Sequence, residues 1–200
     1  MTKSKSVTAS SAVLALALIL LATLAQAASF KADPQHSTIG FSVRHLLTKV
    51  NGQFREFDAS FRFDESTQTL EEVTATIQAA SIDTNVEMRD KDLRSKRFFD
   101  VERFPTLTFR STGSAKFSEN KARIPGVLSM HGVDREIVLE AEFLGKAKDP
   151  WGNVKYGFHA STTIDRTDWG MKWNEVIEAG GVMVGNEVEI TLDIEASPES

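Results

Sequence analysis

Residues able to do chemistry are few and scattered along this chain. Asp33, His36 and Ser37 bring an acid, an imidazole and a hydroxyl close together. A carboxylate-oriented imidazole can activate a hydroxyl for nucleophilic attack. On a strand, however, adjacent side chains point to opposite faces, so His36 cannot serve Ser37 there. The four histidines, His36, His45, His131 and His159, lack the close spacing of a metal pair. A site could assemble through space, but hydrogen bonding in turns and strands is the simpler role. The G-x-S-x-G elbow, the Gly-rich phosphate loop and H-E-x-x-H are all missing from the sequence. With no cysteine there is no disulfide and no thiol chemistry. The chain therefore reads as non-enzymatic, with no catalytic residue, no metal ligand and no cofactor assigned.

Charged clusters are the next candidates. Asp165-Arg166-Thr167-Asp168 reads as an ion-pair and turn network in preference to an active site. Between Val86 and Arg97 five basic residues face three acidic ones. That excess fits either a solvated helix face or an anion-attracting rim at the mouth of a cavity. Thr84 and Glu87 have the spacing of a capping box, which predicts a helix starting there. Glu87 with Lys91, Asp90 with Arg94 and Asp92 with Lys96 stand at i,i+4 and predict three surface ion pairs. Phe98, Phe99, Val101 and Phe104 follow as an aromatic foot, and Pro105 stops the helix.

These groups must be positioned by β-structure. Residues 1–27 have the form of a secretory signal peptide: Lys3 and Lys5, an apolar run from Ala12 to Ala22, then Ala25-Gln26-Ala27. That run is too short to span a bilayer. Residues 28–200 are then one exported domain. The formal net charge is −5 and becomes more acidic without the leader lysines. Such a balance argues against nucleic acid and against an anionic membrane surface as partners. Period-two alternation runs through Ile39–Val43, Phe57–Phe63, Val73–Ala79, Leu107–Phe109, Lys121–Met130, Ile137–Phe143, Tyr156–Ile164 and Val188–Ile194. Short polar joints at 64–68, 118–120 and 131–134 suit hairpins. The polar outer face excludes a membrane barrel. The expected fold is all-β: an eight-stranded antiparallel up-and-down lipocalin-like barrel, with one short helix inserted between strands 3 and 4.

The inward rows carry much of the chain's Phe, 13 residues against one Tyr and three Trp. Phe has no polar handle, so a wall of it satisfies nothing polar. Ala59, Ala75, Ala79, Ala141 and Ala160 interleave with these rings. Two readings stay open on pattern alone: a greasy tunnel for a hydrocarbon chain, or large and small residues interdigitating in a dry core.

At Asp33-Pro-Gln-His36-Ser37-Thr-Ile-Gly-Phe41-Ser-Val43-Arg-His45 and Gly52-Gln-Phe54 the chain resembles the YceI family of polyisoprenoid-binding, lipocalin-like proteins. The resemblance continues through Ser81-Ile-Asp-Thr84, Arg89–Val101, Phe104–Thr112, Gly126–Val133, Ile164–Gly170 and Val184–Val188. His131 and Trp169 are small departures from the family pattern. The resemblance implies an extended barrel whose internal pore takes a polyisoprenoid or similar long-chain amphiphile, and export to the periplasm. On that view Phe41, Phe57, Phe61, Phe109, Leu128, Phe143, Phe158 and Trp169 line the pore, and His36, His45, Arg89, Arg94 and Arg166 are candidates near a polar head. The long connection 166–186 is expected to close one end as a lid. An enzyme acting on an isoprenoid-like ligand, or a stress-response protein with no ligand, are the alternatives, and a homodimer is compatible with the sequence.

Overall fold

The computed structural model describes residues 27–176 and 183–199; the expected leader up to residue 26, and Ile177, Gly180, Gly181 and Val182 of the long loop, lie outside them. In chain order the strands are β1 (Ala28–Ala32), β2 (Thr38–His45), β3 (Thr48–Phe54), β4 (Phe57–Asp64), β5 (Thr69–Gln78) and β6 (Ile82–Asp83). After helix α1 (Glu87–Arg94) come β7 (Thr106–Ser111), β8 (Ala115–Lys116), β9 (Lys121–Met130), β10 (Val133–Lys148), β11 (Val154–Asp165) and β12 (Val184–Pro198). Strands β4, β5, β7, β9, β10, β11 and β12 pair in that order, all antiparallel, and β1 closes the ring between β12 and β4. This is the expected eight-stranded up-and-down barrel, with α1 in the β5-to-β7 connection. Among the described residues no helix is long and apolar enough to cross a membrane.

The ring closes through β1, which shares β12 with β2. The second half of β12 pairs β1 (Ala32 with Ala196), while its first half pairs β2 (Val188 with Val43, Asp193 with Thr38). Asp33 to Ser37 is the jog between the two. There the Asp33 amide donates to the Glu195 carbonyl at 2.8 Å, and the Ser37 hydroxyl donates to the same carbonyl at 3.2 Å while accepting from the Glu195 amide at 3.0 Å. The triad-like grouping is thus a splice: the Ser37 hydroxyl is taken by the backbone of β12 and not by His36. Strands β2 and β3 form a hairpin that lengthens the wall at the helix end, continued by β6 (Phe54 with Ile82).

Alternation builds the core. Along β9, Ala122, Ile124, Leu128 and Met130 are buried while Lys121, Arg123 and Pro125 face out. The His131–Gly132 turn has φ values of +52° and +74°, the doubly positive geometry that matches strand twist in a two-residue hairpin. Two glycines are required by close approach. A Cβ on Gly126 would sit 2.3 Å from the Phe109 ring, and one on Gly52 2.3 Å from the Phe41 ring. In each case a Phe lies flat across the neighbouring strand and supplies the apolar surface the glycine lacks.

The helix departs from expectation. It starts at Glu87 with Val86 as an extended cap residue and no side-chain cap. Asn85, at φ +62°, turns the chain between Thr84 and the helix. Thr84 instead donates its amide (2.9 Å) and its hydroxyl to the buried Asp90 carboxylate. None of the three i,i+4 pairs forms: Arg94 lies 3.7 Å from Glu87, and Asp92 meets Arg97 at 3.2 Å.

Candidate functional site

Inside the barrel lies a cavity of about 230 Å³. Its wall includes Ala59, Phe61, Leu70, Ala75, Phe109, Leu128, Leu139, Ala141, Phe158 and Ala160. Ala141 and Ala160 face each other directly across β10 and β11, and the missing side-chain volume there helps keep the centre from closing. Large and small side chains on the inner faces thus leave open apolar space between them and do not fill the centre.

The two ends of the lumen differ. One is sealed by interlocked rings: Phe63 lies 5.3 Å from Phe143, 5.5 Å from Phe158, 6.1 Å from Phe117, 6.2 Å from Phe30 and 6.4 Å from Tyr156. Tyr156 turns its hydroxyl outward to Glu65 at 3.0 Å, so the floor keeps its polar tip outside the core. The other end is lined by Leu93, Phe98 and Phe99 from the helix segment and by Met171. Trp173 packs on Phe98 at 5.2 Å and under the Arg97 guanidinium at 4.1 Å. From Phe158 to Arg166 the chain advances roughly 26 Å along β11, or about 20 Å along the axis of a tilted-strand barrel.

Of the pore candidates, Phe41, Phe61, Phe109, Leu128 and Phe158 line the cavity. Phe57, Phe143 and Trp169 do not. Phe57 is half-buried against the core, Phe143 belongs to the aromatic floor, and Trp169 lies behind the wall, its indole N–H on the Leu128 carbonyl at 3.1 Å. The two departures from the family pattern meet here, with His131 Nδ1 3.0 Å from the Trp169 carbonyl. Lining residues that alternation did not single out include Leu93, Phe98, Phe99 and Met171. They come from the irregular segments, where no strand period marks an inward face.

The polar candidates separate more sharply. Arg89 bonds the Thr84 hydroxyl (2.7 Å) and carbonyl (2.8 Å). Arg94 bonds the carbonyls of Ala80 (2.8 Å) and Ile82 (2.9 Å). Both therefore pin the helix to the barrel rim. His45 ends β2 opposite Thr48. His36 sits at the β1–β2 jog, away from the lumen wall. Only Arg166 of the five lines the cavity. It is 4% exposed, with Nε on the Gly185 carbonyl at 3.0 Å, Nη1 on the Met171 carbonyl, and Nη2 buried with no partner among the described residues. Burial lowers its pKa from the usual arginine value, against a smaller opposing pull from Asp165; the guanidinium stays charged. Asp165 itself is held by the Thr167 amide (2.8 Å) and hydroxyl (2.6 Å). The 165–168 cluster is thus a turn plus one inward cation.

Asp33, His36 and Glu195 do place three ligand-type atoms within 4.8 Å of one another. The Lys155 ammonium already lies 3.0 Å from Asp33 and 3.4 Å from Glu195, so a cation is in place. Hydrogen bonds from His36 and then Lys155 hold Asp33 down at about 2, below the usual carboxylate value of 3.8. A depressed carboxylate stabilises the fold above its unfolded pKa and loses that effect as pH falls through the folded one. Asp33→Asn is expected to lower stability at pH 7 by about 1 kcal/mol after solvent screening. The gap between mutant and wild type should close as pH falls from about 4 to about 2, read by denaturant midpoints across that range.

With this geometry described, the chain can be set against known proteins. A family model of the YceI-like domain matches residues 30–196. The chain belongs to the YceI-like family. A UPF0312 protein of Photorhabdus laumondii is 43% identical over 159 residues, covering 78% of this chain and 82% of that one. A UPF0312 protein of Pseudomonas aeruginosa is 39% identical over 174 residues, 86% and 87% of the two chains. Among solved structures, the Campylobacter jejuni YceI protein superposes with a TM-score of 0.69 at 28% identity, over 77% of this chain and 88% of that one. A polyisoprenoid-binding domain from Saccharophagus degradans shares the fold, with a TM-score of 0.59 at 13% identity over 86% and 99% of the two chains. The YceI-like barrel is thus common ground, and the lumen described above is this chain's version of it.

Proposed function

We propose that this YceI-like barrel is a non-catalytic carrier that holds one polyisoprenoid or similar long-chain amphiphile in its lumen, in the periplasm after removal of the leader. One observation carries the reading: an almost wholly apolar cavity of about 230 Å³ in the barrel's centre. Apolar cavities of about 150 Å³ already accept benzene. A lumen about 20 Å long and narrow suits an extended chain in single file, each buried methylene contributing about 0.8 kcal/mol. The polyisoprenoid-binding domain that shares this fold supports the same ligand class. Catalysis on such a chain would need a base within hydrogen-bond reach of it. Of the lining residues that could titrate, Arg166 stays protonated and His159 turns its ring to Asp193 at 2.8 Å. Solvent extraction of protein purified from its own host, followed by mass spectrometry, tests the proposal. One long-chain amphiphile per barrel is expected; a bare protein that also fails to take up isoprenoid probes contradicts it.

A further inference from the structure

We infer that Arg166 selects the ligand's head group, so that the lumen prefers single-chain amphiphiles ending in an anion, a carboxylate or a phosphate monoester, over neutral molecules with the same chain. This rests on the carrier reading and adds a chemical class to it. Charged side chains are rarely buried unless paired, because leaving water is costly. Arg166 is buried and makes no ion pair among the described residues. Its two bonded nitrogens meet neutral backbone carbonyls, and Nη2 has no partner among the described residues. The nearest acid in sequence, Asp165, is engaged by Thr167. Three other arginines near this end have partners of their own: Arg89 and Arg94 are spent on Thr84, Ala80 and Ile82, and Arg97 bonds Asp92 and lies over Trp173.

The placement is also right for a head group. Arg166 directly follows β11, at the end of the lumen opposite the aromatic floor. A chain entering tail-first toward Phe117 and Phe158 would bring its terminal group to the guanidinium. An oxyanion there would take the free donor and neutralise the buried charge together. Such charge-assisted bonds are roughly twice as strong as neutral ones, whereas a hydroxyl supplies only the bond.

Matched ligand pairs test this: farnesyl phosphate against farnesol, and palmitate against hexadecanol, each displacing a fluorescent long-chain probe from wild-type protein at neutral pH. The anionic member of each pair should bind at least about tenfold more tightly. In Arg166→Gln the ratio of anionic to neutral affinity within each pair should fall to within about threefold of unity, whatever the change in absolute affinity. Equal binding of acid and alcohol by wild type overturns the head-group assignment and leaves the carrier reading standing. A preference that survives Arg166→Gln overturns it as well. If neither member of either pair binds, the carrier reading fails first. Should Arg166→Gln not fold, the wild-type comparison still decides. A preference confined to farnesyl phosphate identifies the phosphate monoester as the favoured anion, and one shared by palmitate supports a general anion site.

Discussion

Ala160→Phe should abolish uptake of long-chain probes while leaving the barrel folded and close to wild-type stability. Ala160 lies on the lumen wall opposite Ala141, so a phenyl ring there projects into the cavity that a chain would occupy. The expected loss in affinity is at least about 100-fold, because a ring just inside the floor of a single-file channel stops a tail short of its full depth, and each methylene left unburied forfeits about 0.8 kcal/mol. Stability is the more discriminating half of the prediction. In a solid core the added ring would overpack its neighbours and cost about 1–3 kcal/mol or more. In an open lumen it gains contacts that cavity-lining atoms lack, so the net change should stay within about 1 kcal/mol, of either sign. Probe titration and denaturant unfolding of the same sample read both halves. Retained binding, or a collapse in stability, would count against an open centre.

Phe63→Ala should have the largest effect on stability of any single truncation in the barrel. Phe63 is 2% exposed and meets five other rings at the floor. Removing a buried Phe typically costs about 3–5 kcal/mol, a large share of the about 5–15 kcal/mol that holds a domain folded. The rings left behind come from β1, β10, β11 and the β8–β9 connection, so no single element can move in to fill the space. Ring closure through β1 should suffer with it, since Phe30 has Phe61 stacked at 5.4 Å and Phe63 at 6.2 Å as its main partners on β4. A shift in midpoint worth less than about 1 kcal/mol would mean that the floor repacks freely.

Strands whose one face is buried were legible in the sequence, because burial there imposes period two. Strands β4, β9, β11 and β12 are of this kind, and with them came the barrel and the place of the helix. Strand β3, Thr-Lys-Val-Asn-Gly-Gln-Phe, was not, because its burial comes partly from a neighbour: the Phe41 ring covers Gly52, where an apolar side chain would have marked the face. Strand β1 is five residues long and directly follows the expected leader, so it offered too little pattern to separate. Thr84 and Glu87 show the limit of spacing as evidence for a cap. The positive φ at Asn85 displaces the helix start, and the Thr84 hydroxyl bonds Asp90 instead of capping the first turn. For the site, Arg166 could be named but not ranked above Arg89 and Arg94. What separates them is which carbonyls each side chain reaches, and that depends on contacts far apart in the chain. Phe143 stands in an alternating row and is expected at the pore on the family resemblance, yet it lies at the end of the row where the barrel is already filled by other rings.

The central claim is that a hydrocarbon chain lies inside the wall formed by Ala59, Ala75, Ala141 and Ala160. Co-crystallisation with a long-chain amphiphile carrying bromine at its tail, and location of the bromine by anomalous scattering, tests it most directly. One bromine site inside the barrel, between these alanines and the floor rings Phe117 and Phe158, is the predicted result. Bromine found only on the outer surface, with side chains meeting across the centre, would contradict it.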